Sequence, residues 1–303
     1  MSYKISIATG CFNSAAFIER TYQSLVAQEY DNLEWVVVND GSGDNTLALL
    51  HAIAARAAFP VVVINFPVNK GAVMANTAAV QHASGDFTLL FDHDDELLPG
   101  AVKGLVTNWD ATGKGNDSLY GVWGRCVNEK DELLGRSISP PLIIEQNAYF
   151  FHVLKVRGEC LCMFRTPVLK KYYQFSDTEV GCTNGLIWNR IGQEYRSIFT
   201  SQVIRRYYTN IASSMMHQKR IKNPVPLQNQ ELEYLNSNKA FFFKDLYFFL
   251  NKLRIYFKYC YYSNTGLLPA IRRLNGSRLR TAAIFILPVH LLFRIKQKMS
   301  DQA

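Results

Sequence analysis

Residues 33–46 read LEWVVVNDGSGDNT. Leu33–Val38 is a near-continuous apolar run, the pattern of a strand buried on both faces. It breaks at Asn39-Asp40-Gly41-Ser42-Gly43-Asp44-Asn45, which is turn chemistry, and Asp44 or Asn45 can cap a following helix. A buried strand, a short polar turn and a helix start define one step of an alternating α/β chain.

The same step recurs on both sides. Lys4–Thr9 is a short β-type run ended by Gly10. Ser14–Gln28 places Ala15, Ile18, Tyr22, Leu25 and Val26 at helical spacing. Thr46–Ala58 is a helix rich in Ala and Leu. Pro60–Phe66 reads as a third buried strand, Ala72–Ala83 as a third helix, Phe87–Phe91 as a fourth strand and Pro99–Trp109 as the next helix. The order β-α-β-α-β-α-β with short connections calls for a parallel sheet covered by helices on both faces. Ligands of such sheets bind beyond the carboxyl ends of the strands, so the turns that follow the strands carry the chemistry. Further on, Leu119–Val127, Glu159–Arg165 and Val203–Tyr208 read as strands. Pro167–Tyr173 and Leu186–Ile191 read as helical, and Pro224–Pro226 as a linker.

Four turns stand out. The first, Thr9-Gly10-Cys11-Phe12-Asn13, has a glycine where backbone can approach a ligand. The second offers Asp40, whose carboxylate can accept from a base N–H or a ribose hydroxyl. The third, Asn69-Lys70-Gly71, offers a cation for phosphate. The fourth, Phe91-Asp92-His93-Asp94-Asp95-Glu96, sets four carboxylates within five residues. These repel one another unless a cation sits among them, and Mg²⁺ or Mn²⁺ commonly shares a few carboxylates with substrate phosphates.

Together these segments resemble the nucleotide-binding half of glycosyltransferase family 2, the inverting enzymes of GT-A fold. The matching text is Ile5–Asn13, WVVVNDGSGDNT at residues 35–46, Asn69–Gly71, Ala83–Phe87 and LFDHDD at residues 90–95. The resemblance implies a Rossmann-like, mostly parallel sheet flanked by helices, with a helical C-terminal extension. Residues 1–110 would form the nucleotide-sugar half, 111–222 the acceptor half and 223–303 the tail. Thr9, Cys11 (through its backbone), Asp40, Lys70, Asp92 and His93 would line the nucleotide pocket. Asp92 and Asp94 would be the Asp-x-Asp pair that holds Mg²⁺ or Mn²⁺ on the donor diphosphate. The reaction implied is inverting transfer from a nucleotide-sugar, UDP-linked by preference, to a glycan or lipid-linked acceptor in surface polysaccharide synthesis. The family's general base sits in an acidic pair shortly before a Leu-Trp helix. Here Leu186-Ile187-Trp188 resembles that helix, but Thr183 and Asn184 stand at the acidic positions. Glu179, with Asp177 beside it, is the nearest candidate base.

That departure keeps a non-catalytic sugar-nucleotide-binding or scaffold subunit as an alternative. A nucleotidyltransferase is the other, although it would show a richer glycine loop after the first strand. A dinucleotide oxidoreductase is disfavoured, because no G-x-G-x-x-G opens the first helix.

Charge adds an address. The net charge of +8 resides in the tail, where residues 241–303 hold 11 Lys/Arg against 2 Asp/Glu. With its many Phe and Tyr, this segment suits an anionic membrane surface and not a nucleic acid. Thr281–Phe293 is apolar but shorter than the ~20 residues of a spanning helix. Six scattered cysteines without a C-x-x-C pair suit reduced thiols. The N-terminus has no signal-peptide pattern. The expected location is therefore cytoplasmic, on the inner face of the membrane. Arg205 and Arg206 read equally as structural or phosphate-facing. Trp123, Trp188 and Tyr195 read as core before a sugar-stacking wall, and His152 as surface or filler.

Overall fold

The computed structural model describes residues 2–175, 179, 181–209 and 223–285. It divides into two compact units: residues 1–147, 156–180 and 190–214, and residues 148–155, 181–189 and 215–303.

The first unit begins with the expected alternation: β1 (Ile5–Cys11), α1 (Ile18–Val26), β2 (Leu33–Asp40), α2 (Thr46–Arg56), β3 (Val61–Phe66), α3 (Ala72–His82) and β4 (Phe87–Leu90). These four strands run parallel in the order β3-β2-β1-β4. The chain continues through β5 (Glu96–Leu97), α4 (Ala101–Thr112), β6 (Leu119–Val127), β7 (Leu142–Glu145), α5 (Asn147–His152), β8 (Cys160–Arg165), α6 (Thr166–Tyr172), α7 (Asn184–Glu194) and β9 (Arg196–Arg206). β8 joins β4 and β6 antiparallel, and β6 pairs parallel with β9. β5 and β7 both pair antiparallel with β9. The result is one mixed nine-stranded sheet flanked by helices.

Every residue of β2 is buried, as its near-continuous apolar run predicts. Its Trp35 lies in a core with Ile5, Ile7, Val37, Phe87 and Leu89. β3 departs from expectation. It is the outermost strand, bonded to β2 alone, and Val62 is 41% exposed, so the run is not fully buried. β9 is longer than Val203–Tyr208 because Arg196–Ser201, with its interspersed polar residues, extends it at the amino end. Trp123 is a core residue, edge-on to Tyr120 and stacked on Phe199.

Chain order leaves β1 on one side for β2 and crosses to β4 on the other. This reversal opens a crevice at the carboxyl ends of β1 and β4. The turn after Gly10 and the acidic turn after Phe91 both start there.

The second unit contains α8 (Pro224–Ser237), α9 (Leu246–Tyr262) and α10 (Leu267–Arg272), then a helical run over 277–285. Pro224–Pro226 is therefore not a linker. A proline is well placed in a first helical turn, and the Asn223 side chain accepts from Val225 N at 3.2 Å to cap it. Leu235, Phe249, Leu253, Tyr256 and Phe257 form the unit's apolar centre. His152 is neither surface nor simple filler. It is buried, with Nδ1 2.9 Å from Asp245 Oδ2 and Nε2 2.6 Å from the Tyr234 hydroxyl, among the rings of Phe241, Phe248 and Phe249. Among the described residues no helix is long and apolar enough to cross a membrane.

Candidate functional site

The turns after β1 and β2 are bonded into one surface. Asn13 donates its N–H to Ser42 Oγ at 2.9 Å and accepts from Gly43 N at 2.9 Å. Ser14 N donates to Thr46 Oγ1 at 2.7 Å. Asp44, not Asn45, serves the start of α2, accepting from Thr46 N at 3.0 Å and also from Ala15 N at 3.0 Å. Gly41 is required as glycine: its φ is +65°, and a Cβ would lie 2.5 Å from Asn69 N.

Asp40 closes the next join. Its two carboxylate oxygens accept from Lys70 N at 2.7 Å and Gly71 N at 2.8 Å. Burial raises the Asp40 carboxyl above its ordinary value, with those two amides and the Lys70 charge opposing the rise. Asp40 therefore builds the turn that presents Lys70 and, with lone pairs left over, can still accept from a ligand. The exposed Lys70 ammonium lies 4.5 Å from the Phe66 ring centroid.

Thr9 and Cys11 turn their side chains inward. Thr9 Oγ1 accepts from the Trp35 indole at 3.0 Å and is fully buried. The Cys11 thiol donates to Val38 O at 3.3 Å, and burial foremost pushes it up to about 12. Gly10 N is taken by Asn76 Oδ1 at 2.8 Å, and a Cβ on Gly10 would strike that oxygen at 2.5 Å.

The acidic turn after β4 is fixed by helix α1 and strand β9. Thr21 Oγ1 donates to His93 O at 2.7 Å and to Asp95 O at 3.2 Å, and Arg20 donates to Asp94 O. His93 Nδ1 lies 3.2 Å from Gly10 O, tying the first and fourth turns together. Two arginines from far along the chain pair with three of the four acids. Arg205 bonds Asp92 at 2.8 Å and pairs with the buried Asp95, while Arg206 bonds Glu96 at 2.8 Å and Asp131 at 2.7 Å. Tyr208 N donates to Asp95 Oδ1 at 3.0 Å. Burial pushes the Asp95 carboxyl up to about 7, with Arg205 opposing and Asp92 adding to the rise. Burial also raises Asp94, opposed by the His93 charge and reinforced by Asp92. No side chain among the described residues bonds the Asp94 carboxylate.

Glu179 stands 2.9 Å from Arg190 in a half-buried ion pair. Asp177 lies outside the described residues. Asn184 opens α7, and Thr183 just before it exchanges bonds with Gln230: N to Oε1 at 2.7 Å and Nε2 to Oγ1 at 2.9 Å.

Sequence reasoning missed Glu34, a buried acid within an apolar strand. It accepts from Ser6 Oγ at 2.5 Å and Ser84 N at 2.6 Å, and pairs with Lys4 at 2.6 Å. Gly85 N donates to Ser6 Oγ at 2.8 Å, and Asp86 accepts from Lys4 N at 2.7 Å. The Ser84-Gly85-Asp86 segment thus fastens β1 and β2 to the start of β4.

The Glycosyl transferase family 2 model matches residues 6–173, more than half of the chain. The chain belongs to that family. Among the relatives of this family 2 chain is the GalNAc(5)-diNAcBac-PP-undecaprenol beta-1,3-glucosyltransferase of Campylobacter jejuni. It is 25% identical over 207 residues, which are 67% of this chain and 64% of that protein. The poly-beta-1,6-N-acetyl-D-glucosamine synthase of Staphylococcus aureus is 27% identical over 133 residues, 44% of this chain and 31% of the synthase. The chain thus spans less than two thirds of the length of either. Two solved structures share the fold. S. aureus TarS, residues 1–349 with UDP-GlcNAc, superposes with a TM-score of 0.61 at 16% identity, covering 95% of this chain and 80% of that one. The mannosyltransferase PcManGT of Pyrobaculum calidifontis, with GDP-Man and Mn²⁺, gives 0.54 at 16% identity, covering 100% and 89%.

Proposed function

We propose that the chain is an inverting glycosyltransferase. It moves a sugar from a nucleotide-sugar, UDP-linked by preference, to a glycan or lipid-linked acceptor in bacterial-type surface polysaccharide synthesis. The observation that carries this reading is the convergence of four turns at the β1/β4 crevice, with the Asp40–Lys70 turn and the Asp92–Asp94 pair among them.

The donor set also fits Mg²⁺ or Mn²⁺. Among the described residues no group of three or more His, Cys, Asp or Glu forms a complete cage. These ions need only one or two carboxylates when a diphosphate supplies further oxygens. Asp94, with no side-chain partner among the described residues and with Asp92 beside it, suits that role. Once bound, such an ion would neutralise charge on the departing nucleoside diphosphate. Lys70 would meet phosphate charge, and Asp40 would accept from the nucleoside. The acceptor hydroxyl needs a carboxylate to take its proton as it attacks the anomeric carbon from the opposite face. Glu179 fills that role in this reading, with Asp177 as its neighbour in sequence.

The lipid-linked acceptor draws on the C. jejuni relative, whose name carries a PP-undecaprenol acceptor. It agrees with the second unit, where Phe243, Leu246, Tyr247 and Phe285 are exposed. The Arg278 guanidinium lies 4.8 Å from the Phe243 ring centroid. A cationic, aromatic surface of this kind suits peripheral binding at the cytoplasmic face of a membrane. Flotation with phosphatidylglycerol vesicles tests the location: binding lost in Phe243→Ser/Tyr247→Ser supports it, and equal binding contradicts it.

The reaction is tested by incubating the protein with UDP- and GDP-sugars, Mn²⁺ and a panel of glycan and polyprenyl-diphosphate acceptors. Proton NMR reads the product's anomeric configuration. Transfer with inversion supports the proposal. Retention would overturn it, as would donor binding without transfer across the panel, the outcome that favours a scaffold subunit.

A further inference from the structure

Three of the four acids after β4 already have arginine partners. Arg205 holds Asp92 and Asp95, and Arg206 holds Glu96. Burial differs sharply within the first group. The side chains of Arg205 and Asp95 are 6% and 1% exposed, whereas that of Asp92 is 48% exposed. The guanidinium is therefore anchored on a buried carboxylate and offers an N–H to a carboxylate that faces outward. A guanidinium and a divalent ion compete for the same carboxylate lone pairs, and a planar guanidinium held in place by a second acid is not readily displaced.

We propose that Arg205 is a positioning residue that ties down Asp92, leaving Asp94 as the one carboxylate of the four without a side-chain partner among the described residues, so that the divalent ion binds tightly only together with the donor diphosphate. This rests on the donor reading above. Affinity for a hard cation rises with the number of charged oxygens available to it. A lone carboxylate holds such an ion weakly, and the diphosphate oxygens make up the deficit. With Asp92 and Asp94 both free, the ion would be retained without nucleotide. The released nucleoside diphosphate would then leave behind a metal-loaded protein instead of departing with its ion.

The test is Mn²⁺ binding to the full chain, read from the electron paramagnetic resonance signal of free Mn²⁺, with and without UDP or GDP. Arg205→Met alone would strand the buried Asp95, so Arg205→Met/Asp95→Asn is the working variant, with circular dichroism to verify folding. Wild-type protein is expected to bind Mn²⁺ at least tenfold more tightly when the nucleotide is present. The double variant is expected to bind Mn²⁺ alone at least tenfold more tightly than wild type, and adding Asp92→Asn is expected to cancel that gain. A purely structural role for Arg205 would not produce a gain that Asp92 controls. The proposal is overturned if the double variant binds Mn²⁺ no better than wild type while nucleotide binding persists. It is also overturned if wild-type protein binds Mn²⁺ equally well with and without nucleotide. Failure of wild-type protein to bind either nucleotide under any condition would instead refute the donor reading, and this proposal with it.

Discussion

Replacing Asp40 by Asn separates building the site from using it. The carboxylate accepts one backbone N–H on each oxygen, from Lys70 and from Gly71. Asparagine keeps one acceptor oxygen and turns an NH₂ group toward the other amide, leaving a half-buried donor without a partner. Losing one charge-assisted bond is worth about 1.5–3 kcal/mol. Burial raises the Asp40 carboxyl, so removing the charge returns part of that loss. The net expectation is about 2 kcal/mol against the closed turn, which is about a thirtyfold change in its opening equilibrium. Native-state hydrogen exchange measures this locally: the Lys70 and Gly71 amides should exchange about thirtyfold faster in Asp40→Asn. UDP binding should weaken with them. Unchanged exchange at both amides would refute the argument that Asp40 holds the turn.

Other predictions follow from neighbouring groups. Burial opposes the Glu34 charge, but Lys4, Ser6 and Ser84 outweigh it and bring the carboxyl down to about 2 from 4.5. Because the folded value is depressed, the stabilisation is present above about pH 4.5 and fades as pH falls toward 2. Glu34→Gln should therefore cost about 2–3 kcal/mol at pH 7 and much less at pH 3, read by urea denaturation at each pH. A cost independent of pH would contradict the linkage. Gly10→Ala puts a Cβ 2.5 Å from Asn76 Oδ1 and should destabilise by about 1–3 kcal/mol, measured the same way; a neutral result would mean that α3 yields freely. Glu179→Gln should lower kcat at least a hundredfold with KM for the donor little changed. Retained turnover would assign the base elsewhere.

The fold was readable because its signals are local. Leu33–Val38 is apolar on both faces, and the turn after it contains both the helix-starting Asp44 and the glycine that Asn69 crowds. The sheet's outer limit was not readable. Pro60–Phe66 is as apolar as a central strand, and only the order β3-β2-β1-β4 shows that it has one neighbour. At the site, Asp40, Lys70 and the acidic turn were visible as residues, but what they touch was not. The repulsion among Asp92, Asp94, Asp95 and Glu96 pointed to a divalent ion, and the sequence pattern held no sign that arginines would neutralise part of that charge. Arg205 and Arg206 are brought in by β9 across a separation that no spacing rule covers. Glu34 was hidden for a similar reason: within an apolar strand an acid looks like an interruption until Ser6, Ser84 and Lys4 are seen around it. The inward turn of the Thr9 hydroxyl depends on where the Trp35 ring lies in the folded core.

The central claim is that the crevice at the ends of β1 and β4 grips a metal–diphosphate through Asp94. Calorimetric titration of UDP and GDP into wild-type and Asp94→Asn protein, with and without Mn²⁺, tests it most directly. The account predicts that Mn²⁺ strengthens nucleotide binding at least tenfold in the wild type and has no effect in the folded variant. An equal Mn²⁺ enhancement in both proteins, or none in the wild type, would contradict it.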